Sequence, residues 1–384
     1  MDPRIKSVIE ADPRLAFSGD RPHAIDEWQE IPALWDIARM LIDESGGKRG
    51  QYILTGSASP AKHAVSHSGT GRIARMKLRP MSLFEYGVSS GRISLQGLFK
   101  GSFDPYQVSV GLETLAESIC KGGWPSALNN STLNDDSGAG IITAQYYLDT
   151  FISASCEKEG YDEHRLRRLL LSLARNLGQA VTYETIASDI VEGTISDKKR
   201  LIATSQVEDL LSFLKSRFLI EDQKGWDAPV RAKSRVRTKP KRGFVDPSLP
   251  AALLGVNKER LLQDGQLFGV LFEQLCLRDL RVYSSALTEA LPEPVMYYRD
   301  SDNLEVDAII ELRDGRWAAI EIRLGENRVQ EAVTNLLRLK KKVGVNPLAR
   351  NPEPAFMAVL VGATEFCRTT PEGVHVIPIT ELTA

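Results

Sequence analysis

The spacing of apolar residues along the chain predicts an alternation of helices and short strands. Over residues 31–43 apolar side chains recur every three or four positions, which is the period of one face of a helix. Short apolar runs at 51–55 and 73–78 have the length of strands, and the second alternates basic with apolar residues. Residues 1–99 therefore read as an α/β unit, and the segment 128–140, rich in Asn, Ser, Asp and Gly, reads as a loop.

Helical spacing dominates the middle of the chain. Apolar stripes predict helices over 166–177, 182–190 and 207–218, and Gly178 ends the first of them. The apolar run 218–220 and a basic stretch that suits a hairpin follow the third helix. Three short helices with a hairpin predict a winged-helix layout.

The last part of the chain returns to short strands between two helices, and its order of elements is α-β-β-β-α-β. The pattern contains no internal repeat. The expected elements are a helix over 265–282, strands over 295–299, 305–312 and 317–323, a helix over 328–342 and a strand over 356–361.

Composition excludes two classes of protein. At roughly 150 residues per domain, 384 residues make two or three domains. The 48 Lys and Arg residues nearly balance the 50 Asp and Glu residues, and 42% of the chain is hydrophobic. A disordered chain would have few apolar residues and a high net charge, and a histone-like binder would be strongly basic. Both classes are excluded.

The cysteines and the apolar runs indicate the compartment. The four cysteines are far apart and form no CxxC pair, so neither a zinc site nor a disulfide framework is expected. No apolar run approaches the ~20 residues that span a bilayer, and the N-terminus has no apolar signal core. We therefore expect a soluble cytoplasmic protein that does not bind a membrane.

A short acidic segment near the N-terminus has the order of a Walker B motif. The strand-like run at 23–25 ends in Asp26 and Glu27. An Asp in this place binds Mg²⁺, and the following Glu polarises a water for attack on the γ-phosphate. The alternative for an Asp-Glu pair taken alone is an ordinary surface turn.

Polar and basic residues that follow the next strand favour the nucleotide interpretation. The strand at 51–55 ends in Thr55 and Ser57, which suit contact with a γ-phosphate. After a polar loop, Arg72 and Arg75 offer positive charge to a transferring phosphate.

In this order the segments resemble the AAA-type P-loop ATPases of bacteria and archaea that carry a C-terminal domain of unknown function with a restriction-endonuclease-like fold. The resemblance covers nearly the whole chain and is strongest in DEWQ at 26–29, LTGS at 54–57 and RPMSLFE at 79–85. It implies ATP and Mg²⁺ as cofactors.

The sequence departs from this family at the Walker A loop, G-x-x-x-x-G-K-[ST], whose amides and lysine hold the β- and γ-phosphates. The loop belongs before residues 23–27, and none of the 384 residues carries it. The nearest imitation, GGKR at 46–49, lacks the hydroxyl residue and a preceding strand, so it predicts a helix C-terminal turn. We expect half an ATP site with impaired hydrolysis and no tight ATP binding. Either the gene model starts late or the chain is a degenerate member.

A basic stretch in the middle of the chain suggests contact with nucleic acid. Six of its residues occupy alternate positions, which in an extended hairpin place them on one face, as in a wing that follows DNA phosphates. A solvated loop is the alternative. The helix that begins near Thr204 would be the recognition helix, although Glu208, Asp209 and Ser212 point outward and suit DNA poorly. The basic ribbon consists of Arg231, Lys233, Arg235, Arg237, Lys239, Lys241 and Arg242.

Acidic residues of the last domain resemble the PD-(D/E)xK nuclease pattern. That chemistry uses two carboxylates on neighbouring strands to hold Mg²⁺ and a Lys two residues after the second. Asp307 and Glu321 match the carboxylates, and Glu273 matches the acidic residue of the preceding helix. Arg323 stands where the Lys is expected, and an arginine cannot accept a proton. The alternative is a structural ion-pair cluster on a retained scaffold.

Together these observations predict an α/β multidomain protein of the AAA-type ATPase family, associated with nucleic acid. The alternatives are a metal-dependent PD-(D/E)xK nuclease, with metal at Asp307 and Glu321, and a non-catalytic module that binds DNA or protein. Expected partners are duplex DNA and either a protein or a second copy of the chain. The expected domains are a partial ATPase core at 1–115, a helical linker at 116–160, a winged-helix-like domain at 161–250 and a restriction-endonuclease-like domain at 251–384.

Overall fold

In a computed structural model, the chain forms two compact units. The first unit consists of Met1–Leu78 with Leu211–Leu219, and the second consists of Arg79–Leu210 with Ile220–Ala384. In the described part of the chain, no helix combines the length and the apolar character that crossing a bilayer demands. The structure describes residues 3–57, 71–109, 111–128, 137–191, 203–226, 239–346, 349 and 351–384.

The first unit is built around two parallel strands, β1 (His23–Ile25) and β2 (Tyr52–Leu54). Its N-terminal stretch carries the helices α1 (Pro3–Ala11) and α2 (Ala33–Glu44), and α2 confirms the helix expected over 31–43. The core consists of apolar side chains from α2 and the segments beside β1. Its members are Phe17, Ile25, Trp28, Ile31, Leu34, Trp35 and Ala38.

The strand expected over 73–78 is wrong. Described residues 71–78 contain no strand, and Met76 and Leu78 are 93% and 94% exposed. Alternation of basic and apolar residues suits a half-buried strand, but a strand also needs a neighbour that supplies backbone hydrogen bonds. The local pattern carries no information about that neighbour.

Helices make up much of the second unit. The expected stripe of the helix over 166–177 is confirmed, with Leu166, Leu169 and Leu170 fully buried. Asp162 and Thr182 cap the following helices, α7 and α8, each by accepting a hydrogen bond from a backbone N–H. The helices are α3 (Leu95–Phe99), α4 (Leu112–Lys121), α5 (Pro125–Leu128), α6 (Ser137–Glu159), α7 (Glu163–Arg175), α8 (Tyr183–Ile190), α9 (Thr204–Ser216, divided between the units), α10 (Ser248–Leu253), α11 (Lys258–Gln263), α12 (Gly265–Ser285) and α13 (Val329–Gly344).

The hairpin expected after the three helices is present. Strands β5 (Ile220–Gln223) and β6 (Lys241–Phe244) pair antiparallel, with Gln223 opposite Lys241. The elements of the expected layout, α7, α8, α9 and the hairpin, therefore occur in order. The winged-helix name stays a prediction, and most of the loop between the strands lies outside the described residues.

A seven-stranded sheet forms the core of the second unit, and its middle strands are parallel. The order is β4-β11-β12-β10-β9-β8-β7. Strand β10 is buried along its whole length, as expected for a strand covered on both faces. The strands expected over 305–312, 317–323 and 356–361 are confirmed with the same bounds. The strands are β3 (Ile93–Ser94), β4 (Tyr106–Gln107), β7 (Ala290–Arg299), β8 (Glu305–Leu312), β9 (Trp317–Arg323), β10 (Phe356–Val361), β11 (Phe366–Thr369), β12 (His375–Pro378) and β13 (Leu382–Thr383).

Two early strands join this C-terminal region. Strand β4 pairs with β11, and β3 pairs with β13. The N-terminal stretch of the first unit therefore stops at Leu78, and the residues that carry β3 and β4 belong to the second unit.

Candidate functional site

The polar residues expected around a nucleotide meet at the carboxyl ends of β1 and β2. Parallel pairing of Ile25 with Leu54 brings the next residues of both strands together. The Thr55 hydroxyl donates a hydrogen bond to a carboxylate oxygen of Asp26 at 2.5 Å, and the Thr55 N–H donates to the Ile25 carbonyl at 2.9 Å. The Asp26 carboxylate thus stands at the exposed edge of the parallel pair, oriented by its neighbour.

Glu27 is held in a second set of contacts beside Asp26. Its backbone has φ +52°, a left-handed conformation that is uncommon for a residue with a side chain. The Ser57 hydroxyl donates to Glu27 at 3.2 Å, and the Gln29 amide donates to both Glu27 and Ser57. The structure therefore brings together all four polar residues expected at these strand ends, Asp26, Glu27, Thr55 and Ser57.

Arg72 and Arg75, the two arginines that we expect to contact phosphate, lie against residues of α2. Arg72 forms an ion pair with Asp43 at 2.8 Å. The Arg75 guanidinium lies over the ring of Trp35, 5.2 Å from its centroid. Contact of either arginine with phosphate stays a prediction.

The segment that imitates a phosphate loop ends a helix. Gly46 and Gly47 have φ of +72° and +76°, and the Gly47 N–H donates to the Ile42 carbonyl of α2. This confirms the helix C-terminal turn expected for GGKR. Asp26 and Thr55 offer the oxygen ligands that Mg²⁺ prefers, but the glycine-rich loop and lysine that grip phosphates are not in the sequence. The residues present could hold the Mg²⁺ of an ATP site, but they do not supply the groups that bind its phosphates.

A second constellation, in the second unit, is built on neighbouring strands. Asp307 lies on β8 and Glu321 on β9, which pair antiparallel, and α12 carries Glu273. The Arg323 guanidinium contacts Asp307 at 2.9 Å and Glu321 at 2.6 Å. The structure thus brings the expected nuclease-like residues together, with the arginine between the two carboxylates.

Lys241 is a member of this constellation that the sequence pattern did not indicate. Its ammonium contacts Glu305 at 2.5 Å and Glu273 at 3.7 Å, and its side chain is 6% exposed. In the sequence it looks like any other cation of the basic ribbon. Only the pairing of the β5–β6 hairpin shows that it faces acidic residues. We call Glu273, Glu305, Asp307 and Glu321 the acid cluster.

Burial and mutual repulsion perturb the protonation of the acid cluster. Burial, with the negative charge of Asp307, raises the pKa of Glu321 to about 10. The same two causes raise the pKa of Glu273 to about 7. Burial disfavours the charged form of Lys241, but Glu273 and Glu305 outweigh it and raise the pKa of the lysine. Burial and mutual repulsion thus weaken the acidity of Glu321 and Glu273, whereas the neighbouring carboxyl groups favour the charged form of Lys241.

The last two residues of the basic ribbon lie in the interior, which differs from their expected exposed position. Lys241 and Arg242 are 5% and 7% exposed. Arg242 donates to the Val181 carbonyl at 3.0 Å and lies over the Tyr183 ring. Both strands of the hairpin pack into the second unit, so alternate positions cannot all face solvent. Lys239 is exposed, and Arg231, Lys233, Arg235 and Arg237 lie outside the described residues.

The structure also contains a buried ion-pair network that sequence reasoning missed. Arg278 contacts Asp246 at 2.9 Å and Asp279 at 2.7 Å, and all three side chains are at most 1% exposed. Asp279 accepts the Leu83 N–H, and Asp246 accepts the Gly123 N–H. The run RPMSLFE is thus attached to α12 in the second unit.

Among the described residues, no three His, Cys, Asp or Glu side chains are arranged to hold a metal ion. The carboxylates expected to do so, Asp307 and Glu321, contact Arg323 instead. Asp26 has only one acidic neighbour in the expected site, Glu27. A metal at Asp26 would therefore need further ligands from water or nucleotide, which Mg²⁺ commonly takes.

Three family models match consecutive parts of the chain. An AAA domain matches residues 5–87, which contain the strand ends described above. A domain of unknown function (DUF8612) matches 112–260, and another (DUF4143) matches 268–382, which carry all four residues of the acid cluster.

Two mycobacterial proteins are similar over most of the chain. They are the uncharacterized proteins Rv2008c of Mycobacterium tuberculosis and Mb2031c of Mycobacterium bovis. Each is 25% identical over 318 residues, which are 82% of this chain and 61% of the relative. The chain thus spans about three fifths of the length of these relatives. No solved structure matches the chain. The matches support an AAA-type ATPase-like protein with a C-terminal domain of unknown function.

Proposed function

We propose that the first unit contributes the magnesium- and water-positioning side of a nucleotide site, that the chain does not hydrolyse ATP by itself, and that it works with nucleic acid. The observation that carries the nucleotide part is the convergence of Asp26, Glu27, Thr55 and Ser57 at adjacent strand ends. The AAA domain match over the same residues supports it.

Each of these side chains has a position that suits its proposed role. Asp26 would hold Mg²⁺, oriented by the Thr55 hydroxyl. Glu27 would orient a water, with Ser57 and Gln29 fixing its carboxylate. When bound, Mg²⁺ neutralises phosphate charge. The phosphate-gripping half is missing from the sequence, so we derive no hydrolytic step.

Hydrolysis by the 384-residue chain is expected to be indistinguishable from that of its Glu27→Gln variant. The test is phosphate release from Mg–ATP by both proteins at equal concentration. Without a loop that holds the γ-phosphate, orientation of a water by Glu27 has no effect on the rate. A wild-type rate about 100-fold above that of the variant, the size of effect that a proton-accepting carboxylate gives, would contradict the proposal.

The nucleic-acid part of the proposal rests on the charge of the basic ribbon outside the β5–β6 strands. Arg231, Lys233, Arg235 and Arg237 alternate in sequence, and exposed Lys239 follows them. Lys241 and Arg242 are buried and paired, so we exclude them from the proposed contact. Cations at this spacing in an extended segment suit the phosphates of duplex DNA.

Replacing Arg231, Lys233 and Arg235 with Ser is expected to weaken duplex DNA binding and to flatten its salt dependence. Three lost phosphate contacts reduce the slope of log K against log salt by about 2–3. Binding is measured by fluorescence anisotropy across salt concentrations. A variant with the same charge change on exposed residues elsewhere, Lys100, Arg338 and Lys341 to Ser, serves as the control. Equal slopes for both variants would place the contact outside the ribbon.

The metal-dependent nuclease stays a second hypothesis. The convergence of Glu273, Asp307 and Glu321 on α12, β8 and β9 favours it, because these elements occur in the order that the nuclease pattern requires. The position of Arg323 opposes it, since a guanidinium already contacts both strand carboxylates.

A further inference from the structure

The acid cluster places four carboxyl groups beside cations from different strands. Four carboxyl groups meet where β8, β9 and α12 come together, and two largely buried side-chain cations from different strands contact them. A third cation, the exposed Arg299, lies 3.7 Å from Glu305. Arg323 comes from β9 itself, and Lys241 comes from the β5–β6 hairpin. Every carboxylate of the cluster contacts at least one of the two cations.

We propose that Arg323 and Lys241 neutralise the acid cluster in place of a divalent metal, so that the cluster is a metal-free ion-pair lock joining the β5–β6 hairpin to the central sheet. The inference concerns the second unit alone and does not depend on the proposed nucleotide site of the first.

The contacts of Arg323 leave little capacity for a metal between the strands. The two terminal nitrogens of its guanidinium contact Asp307 and Glu321 respectively, and the Glu321 side chain has no exposed surface. The same oxygen of Asp307 also accepts the backbone N–H of Ile322 at 2.8 Å. A bound Mg²⁺ keeps several waters and needs an open site. Metal entry between Asp307 and Glu321 would have to break both arginine contacts.

Lys241 attaches the hairpin to β8 and to α12. Its ammonium reaches Glu305 at the start of β8 and Glu273 on α12. Gln223, its partner across the hairpin, donates from its amide to the Asp307 carbonyl at 2.7 Å and to the Met296 carbonyl at 3.2 Å. A charged contact and a neutral contact thus fix the hairpin on β8, which explains why a lysine at this position is buried.

The first test is the thermal stability of Arg323→Met and Lys241→Met. Arg323→Met removes the cation that contacts Asp307 and Glu321, and Lys241→Met removes the cation of Glu273 and leaves Glu305 with the exposed Arg299. Each variant is therefore expected to lower the unfolding midpoint by roughly 6–15 °C. The matched controls are Arg328→Met and Lys224→Met. Arg328 pairs with Glu331 and Lys224 pairs with Glu293, and more than half of each of these side chains is exposed. The controls are expected to change the midpoint by about 2 °C or less. Equal shifts in variants and controls would overturn the lock.

The second test is metal dependence, measured in the Asp26→Asn background so that the end of β1 does not contribute. We expect the same unfolding midpoint in EDTA and in Mn²⁺, within about 1 °C, because the lock has no place for the ion. Free Mn²⁺, followed by electron paramagnetic resonance, is expected to be the same with and without the further change Asp307→Asn. A midpoint several degrees higher in Mn²⁺, or Mn²⁺ binding that Asp307→Asn abolishes, would overturn the proposal and favour a metal site.

Discussion

Replacing Asp279 with alanine is expected to lower the free energy of unfolding by about 3–5 kcal/mol. Asp279 is fully buried on α12, and its carboxylate contacts Arg278 at 2.7 Å. It also accepts hydrogen bonds from the Leu83 N–H at 3.0 Å and the Tyr283 hydroxyl at 3.3 Å. The change leaves a buried guanidinium with only Asp246 as its ionic partner.

Urea-induced unfolding of the wild type and Asp279→Ala measures this loss. The control is Asp314→Ala, which removes an ion pair with Arg316 of the same 2.7 Å length but with about two fifths of each side chain exposed. An exposed pair contributes about 0–1 kcal/mol, so the control is expected to be near neutral. A loss below about 1 kcal/mol for Asp279→Ala would mean that the network does not hold the run RPMSLFE on α12.

Gly123→Ala is expected to destabilise the second unit by about 3 kcal/mol. An added Cβ would lie 2.2 Å from the backbone oxygen of Met81 and 2.6 Å from its nitrogen. These are backbone atoms, and Met81 is fixed because its N–H donates to the Gly123 carbonyl at 2.8 Å. The Gly123 N–H in turn donates to buried Asp246 at 2.9 Å. Neither Met81 nor Gly123 can therefore move away from the other without breaking a hydrogen bond.

The matched control for this change is Gly269→Ala in α12. No atom lies within 4 Å of the added Cβ there, and alanine in a helix interior is more favourable than glycine by about 0.5–1 kcal/mol. The control is therefore expected to be neutral or stabilising in the same urea measurement. If both variants unfold at the wild-type midpoint, the close approach of Gly123 to Met81 is not a constraint on the fold.

Strong local patterns were sufficient for the elements of the C-terminal sheet. Strands β8, β9 and β10 are short apolar runs bounded by polar residues, and the helix between β9 and β10 has a clear apolar face, so their bounds follow from sequence. The pairing of β3 with β13 and of β4 with β11 cannot be predicted from the sequence. These two strands are too short to show an alternation of apolar and polar residues, and their partners lie far along the chain.

The candidate sites were predictable where they depend on strand ends. Asp26 and Thr55 follow paired parallel strands, so their proximity follows once the strands are recognised. The role of Lys241 could not be predicted, because its charge is the same in a solvated ribbon and in an ion pair, and only tertiary packing separates the two. For the same reason Arg72 was expected at phosphate and is paired with Asp43.

The most direct test of the proposed nucleotide site is the binding of a fluorescent ATP analogue with and without Mg²⁺. We expect weak binding that requires Mg²⁺ and falls by about 10-fold or more in Asp26→Asn, because the metal loses its carboxylate ligand. Asp20→Asn, a change of the same charge at an exposed position of the first unit, is expected to bind like the wild type. Equal affinity in Asp26→Asn and the wild type would contradict the account.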